Sequence, residues 1–96
     1  MHVIAKPALI RFWLKHPDAK SSLSAWHSIM ASSDFGNFND LRRTFASADQ
    51  LNGKTVFNIA GNKYRLIAAM HYDRRKVYIR HVLTHAEYDF GKWKTS

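Results

Sequence analysis

The sequence contains no cysteine. That excludes disulfides, cysteine nucleophiles and thiolate metal sites. It has only two prolines and four glycines. No Gly-rich phosphate loop or GxSxG nucleophile elbow can be assembled from them, and there is no internal repeat or low-complexity segment. No apolar run approaches the roughly 20 residues of a membrane span. The opening MHVIAKPALIRFWLKH is too polar and too interrupted for a secretory signal. These absences point to a soluble, cytoplasmic protein with no membrane partner. Acids are also scarce: seven Asp and Glu stand against fifteen Lys and Arg, for a net charge of +8 and a pI near 10.1.

An excess of that size implies a polyanion partner, with nucleic acid the default. A basic surface kept for solubility is the alternative. Clustering favours the first: Lys54, Lys63, Arg65, Arg74, Arg75, Lys76 and Arg80 share one stretch with a single acid, Asp73. The 96 residues suit one domain, residues 1–96. Hydrophobic content of 46%, with three Trp, four Tyr and six Phe, argues against a disordered chain.

The stretch from Thr55 to Asp89, TVFNIAGNKYRLIAAMHYDRRKVYIRHVLTHAEYD, reads as a three-strand meander. Its strands run about Lys54 to Ala60, Lys63 to Tyr72 and Lys76 to Thr84. Gly61-Asn62 is read as a two-residue hairpin loop and Asp73-Arg74-Arg75 as the second turn. Upstream, Met1 to Ala5 is a short β-prone run. Pro7 suits a helix first turn, and Leu9, Ile10, Phe12, Trp13 and Leu14 predict a short, mostly buried helix. Pro17-Asp18 breaks it. Leu23, Trp26, His27 and Met30 lie on one face of a second helix, at i, i+3, i+4 and i+7. Asp40 is a candidate cap for a short helical piece, LRRTFASA. Asn52-Gly53 is a turn signal leading into the sheet, and the tail KWKTS reads as frayed.

Helices first and an antiparallel meander last predict an α+β fold. In it an N-terminal strand and two to three helices pack on one face of a mainly antiparallel sheet of about four strands. Alternation puts Tyr64, Leu66, Ala68 and Met70 under the helices, and Lys63, Arg65, Ile67, Ala69 and His71 on the open face. The same alternation on the third strand adds Arg80 to the open face and turns His81 toward the helices, in a structural role.

The sheet ends in Thr84-His85-Ala86-Glu87-Tyr88-Asp89, which crowds imidazole, phenol and carboxylates beside the basic strands. Histidine suits proton transfer near neutral pH, and Arg65 and Arg80 can hold a phosphate. Together these suit cleavage of RNA through its own 2′-OH, a reaction that needs no metal or cofactor because the nucleophile belongs to the substrate. A polar terminal loop facing water is the structural alternative. His85 and Glu87 lack the helical i, i+4 histidine spacing of a zinc motif.

On three stretches, MHVIAKPAL, VFNIAGNKYRLIA and YIRHVLTHAEYD, the chain resembles the HigB toxins of bacterial type II toxin–antitoxin systems, within the RelE-like superfamily. The resemblance implies a ribosome-dependent mRNA interferase that enters the A site, against 30S rRNA, and cuts the codon there without metal. It also implies a HigA-type helix-turn-helix antitoxin as partner, in a complex that represses its own operon. Arg65 matches the family's strand arginine at the scissile phosphate, and His85 and Tyr88 fall where relatives place C-terminal catalytic residues. Asp89 is a candidate to orient His85 or accept a proton. Which residue is base and which is acid stays open. Lys63 and Arg80 are phosphate ligands by position only, and Lys54, His71, Arg74, Arg75 and Lys76 complete the expected RNA-binding surface. A non-catalytic RNA-binding module is the alternative; a DNA-binding subunit is disfavoured, since no helix-turn-helix with a basic recognition helix is evident.

Overall fold

Period-two patterning in the second half of the chain and period-3.6 patterning in the first fold into two layers. The computed structural model describes residues 1–95. Its elements, in order, are β1 (His2–Ile4), α1 (Pro7–Lys15), a 3₁₀ turn (Pro17–Ala19), α2 (Lys20–Ala31), α3 (Phe38–Thr44), β2 (Asp49–Leu51), β3 (Lys54–Ile59), β4 (Tyr64–His71), β5 (Lys76–Thr84), α4 (His85–Phe90) and a second 3₁₀ turn (Lys92–Thr95). The fold is α+β, as expected, with a mixed sheet in the order β1-β5-β4-β3-β2. β1 lies parallel to β5, and the other pairings are antiparallel.

The sheet has five strands rather than about four. The added one, β2, comes from the Asn52-Gly53 signal. Both residues have positive φ, 53° and 75°, as a type I′ turn requires. The turn sets Leu51 opposite Lys54 and folds Asp49–Leu51 back along β3. The two-residue hairpin expected at Gly61-Asn62 is instead a four-residue turn: Ile59 pairs with Tyr64, and the Lys63 N–H donates to the Ala60 carbonyl. The cap of α3 is Asn37, whose side chain accepts from the Asp40 N–H at 2.8 Å. Asp40 lies inside the first turn.

Helix α2 buries Leu23, Trp26 and Met30 as its periodicity predicts, with His27 half-buried. With Leu9 and Leu41 they cover Phe57, Leu66 and Val77 of the sheet. Trp26 and Phe45 both meet the Phe57 ring edge-on, at 5.5 and 5.1 Å between centroids. Helix α1 is less buried than expected. Only Leu9 is fully covered, and Leu14 is 73% exposed, because α1 lies at the sheet margin beside β5. No helix among the described residues is long and apolar enough to cross a membrane.

Two features reshape the opposite face. Ala68 pairs with Ile79 but Ile67 pairs with His81, so Arg80 is an extra, bulged residue. The bulge inverts the alternation for the rest of β5. Val82 therefore joins the helix-covered core, and His81 and Leu83 turn to the other side, the reverse of the expected assignment. That face is also not fully open. Val56, Ile67 and Trp93 form a second buried cluster, bordered by Leu51, Leu83 and Tyr88. The tail expected to fray is docked there: Trp93 is only 3% exposed, while Ser96 lies outside the described residues.

Candidate functional site

The short helix α4 is built by its ends. Thr84 is its N-cap in a full capping box: the Glu87 N–H donates to Thr84 Oγ1 at 3.2 Å, and the Thr84 N–H donates to Glu87 Oε1 at 2.9 Å. Glu87 therefore holds the helix start, a role readable from the T-x-x-E pattern. Gly91 closes the other end in the left-handed conformation, φ 84°. The His85 N–H donates to the Lys63 carbonyl and ties α4 to the β3–β4 turn.

This framing places His85, Tyr88 and Asp89, at i, i+3 and i+4, on one side of the helix. His85 Nδ1 lies 2.9 Å from Asp89 Oδ2. The carboxylate thereby orients the ring and leaves Nε2 as the nitrogen presented outward. Both side chains are half exposed or more. The Tyr88 ring stacks on Trp93 at 5.2 Å and 13°, and Trp93 Nε1 donates to the Tyr88 carbonyl at 3.0 Å.

Arg65 completes the cluster. Its guanidinium lies 5.4 Å from the Tyr88 ring centroid, a cation–π contact. Its Nη1 donates to the carbonyls of Asn62 and Tyr64, both at 3.1 Å. An arginine has five donors in a planar fork; the two carbonyl bonds use Nη1, and the Nε/Nη2 edge has the geometry that suits a bidentate anion. The structure thus brings together Arg65 and Tyr88, with the His85–Asp89 pair on the same short helix.

The other expected RNA-binding residues are spread out. Lys63 pairs with Asp18 at 2.8 Å. Lys54 and His71 share the sheet face with Arg65, and His71 meets Tyr78 edge-on at 5.0 Å. Lys76 pairs opposite His71, Arg80 is exposed at the bulge, and Arg74 and Arg75 are exposed in the β4–β5 turn. Arg75 lies 3.8 Å from Asp34. Arg65 and His71 are six positions apart on β4, about 20 Å at strand rise. The cations therefore form a strip, with the α4 cluster at one end and the Arg74–Arg75 turn at the other.

His81 and Trp93 are the residues that sequence reasoning missed. A bulge leaves no reliable mark in the alternation, and a lone terminal tryptophan does not announce what it covers. His81 is half-buried on the Arg65 face. Burial, then Arg80 and Lys54, push its pKa below the ordinary histidine value, which favours the neutral imidazole. No group of three His, Asp or Glu among the described residues is placed to hold a metal ion.

Asp18 carries a testable electrostatic consequence. It accepts from Lys63 Nζ and, at 2.6 Å, from the Tyr64 hydroxyl. These bonds hold its pKa below the usual carboxylate value, Lys63 first and Tyr64 second. A depressed folded pKa means a contribution complete above the unfolded value and lost as the pH falls through the folded one. The stability difference between wild type and Asp18→Asn should therefore shrink below about pH 4. Urea midpoints at a series of pH values check this; a difference constant from pH 7 to 2 would show that the carboxylate is not its source.

A strand-anchored arginine thus lies beside a C-terminal His–Tyr–Asp helix, on a helix-backed α+β sheet whose first strand is parallel, a fold consistent with a RelE-like toxin. Residues 19–91 match the HigB toxin family, described as the RelE-like toxic component of a toxin–antitoxin system. The chain is 38% identical over 93 residues to the mRNA interferase toxin HigB of Escherichia coli, covering 94% of this chain and 89% of that one. Identity to the mRNA interferase HigB of Shigella flexneri is likewise 38%, over the same shares. A second Escherichia coli mRNA interferase HigB is 26% identical over 92 residues, covering 93% of this chain and 89% of that one. The chain belongs to the HigB toxin family.

Proposed function

We propose that the chain is an mRNA interferase that cuts mRNA in the ribosomal A site through the RNA 2′-OH, without metal, and that a cognate HigA-type antitoxin neutralises it. The observation that carries this reading is Arg65, fixed by two carbonyls and the Tyr88 ring on the α4 side of a basic face. A guanidinium held in place before the substrate arrives stabilises charge that grows on a phosphate without reorganising.

In this reading the Nε/Nη2 edge of Arg65 grips the scissile phosphate. His85, oriented by Asp89, and Tyr88 supply proton transfer on the α4 side. The 2′ oxygen attacks phosphorus and the 5′ oxygen leaves, giving a 2′,3′-cyclic phosphate and a 5′-hydroxyl. The cation strip from Lys54 and Arg80 to Arg74, Arg75 and Lys76 follows the RNA backbone on either side. Relatives named mRNA interferase support the reaction class, and the family's toxin–antitoxin description supports the antitoxin.

Induced expression in a bacterium, with mapping of mRNA 5′ ends, tests the proposal. Growth arrest with cuts confined to translated frames is the expected result. Soluble protein with normal growth and unchanged ends would move the reading to a non-catalytic RNA-binding module.

A further inference from the structure

Displacement at phosphorus sets the attacking and leaving oxygens roughly in line, on opposite sides. A cleavage that relies on side chains for proton transfer is therefore best served by groups on both sides of the phosphate. Arg65 pairs directly with Leu83 across β4 and β5. Two residues after Leu83 comes His85; two residues before it comes His81. Bulging of Arg80 turns His81 onto the Arg65 face, opposite Ile67. Such a diagonal neighbour lies about 7–8 Å away, a gap that one phosphate can bridge between guanidinium and imidazole. His81 is half-buried rather than enclosed, and it also borders a groove of about 630 Å³ between α1 and β5, with Arg80, Leu83 and Glu87.

We propose that His81 is a second proton-transfer residue of the cleavage, accepting the 2′-OH proton while α4 protonates the leaving oxygen. This rests on the RNA-cleavage reading above. The neutral His81 imidazole takes the proton from the 2′-OH. The oxygen's electron pair forms the new bond to phosphorus. The bond from phosphorus to the 5′ oxygen breaks with its pair on that oxygen, which takes a proton from His85 or Tyr88. His81 is left cationic and the α4 group one proton short; exchange with water restores both.

The surroundings suit a base. Arg80 is adjacent, Lys54 approaches from β3 and Arg65 from β4. Arg11, Lys15 and His16 line the α1 side of the groove. The groove's carboxylate, Glu87, accepts the Thr84 N–H in the α4 cap. Burial first, and then the Arg80 and Lys54 charges, favour a ring that is neutral until it accepts a proton.

The test is single-turnover cleavage of mRNA on programmed ribosomes by wild type, His81→Gln and His81→Asn across pH 5 to 9. Loss of about 10²- to 10⁴-fold is expected for removing a general base. The acidic limb of the profile, below about pH 6.5 in wild type, should disappear in these variants and persist in His85→Gln. Added imidazole should restore part of the activity of His81→Ala. Cleavage within threefold of wild type would overturn the proposal, as would a large loss that leaves the acidic limb in place. If the variants do not fold, the wild-type profile decides, and a profile without an acidic limb overturns it. Wild type that leaves mRNA intact would instead refute the cleavage reading itself.

Discussion

Arg65→Ala should lower mRNA cleavage by about 10²- to 10³-fold, the ordinary effect of removing one preorganised donor from a developing anion. The residue is half-buried, its two hydrogen bonds reach carbonyls of the adjoining turn and strand start, and no core side chain depends on it. Its removal therefore leaves the fold in place, and the unfolding free energy from urea denaturation should change by less than about 1 kcal/mol. Arg65→Lys separates charge from shape. Lysine keeps the cation but not the planar fork, so recovery should be partial at best. Single-turnover cleavage with a folding control measures both variants. Full activity in Arg65→Ala would remove the residue from the site.

Trp93→Ala should carry the largest cost in stability among changes outside the helix-covered core, about 3 to 5 kcal/mol for a buried tryptophan. Trp93 closes the second cluster over Val56 and Ile67. It also stacks on Tyr88 and donates to that residue's carbonyl. Without it, Tyr88 loses its backing and Arg65 loses an ordered ring to lie against, so cleavage should fall as well. Trp93→Phe keeps an aromatic surface but gives up the indole N–H, and should cost about 1 kcal/mol for the hydrogen bond in addition to any packing loss. Denaturation by urea and cleavage assays on both variants check the pair. An unchanged midpoint in Trp93→Ala would show that the tail is not part of the folded unit.

Helix α2 was legible because Leu23, Trp26 and Met30 repeat at helical spacing over two turns. Strands β3 to β5 were legible because β-branched and aromatic residues alternate between turn signals. Arg65, His85, Tyr88 and Asp89 were legible as types that suit one chemistry, and by family resemblance; the structure adds the Tyr88 stack and the two carbonyl clamps. What escaped were decisions made in three dimensions. Three-residue strands such as β2 carry too little pattern to announce themselves. The bulge at Arg80 shifts register by one, and one residue inverts every later side chain. Trp93 finds its place only once Val56 and Ile67 have been set side by side by strands that are distant in sequence.

The parallel pairing of His2–Ile4 with Lys76–Tyr78 also has a bearing on the order in which the molecule is assembled. Contacts between segments so far apart cost loop-closure entropy and form late. During synthesis the N-terminal strand has no partner until nearly the whole chain has been made. Thr84 caps α4 only after β5 has emerged, so the Arg65–Tyr88 arrangement is assembled last. A growing chain therefore carries its basic strands before α4 completes the Arg65–Tyr88 contact. This order of assembly makes the α4 cluster, rather than the basic strands, the last part of the molecule to take shape.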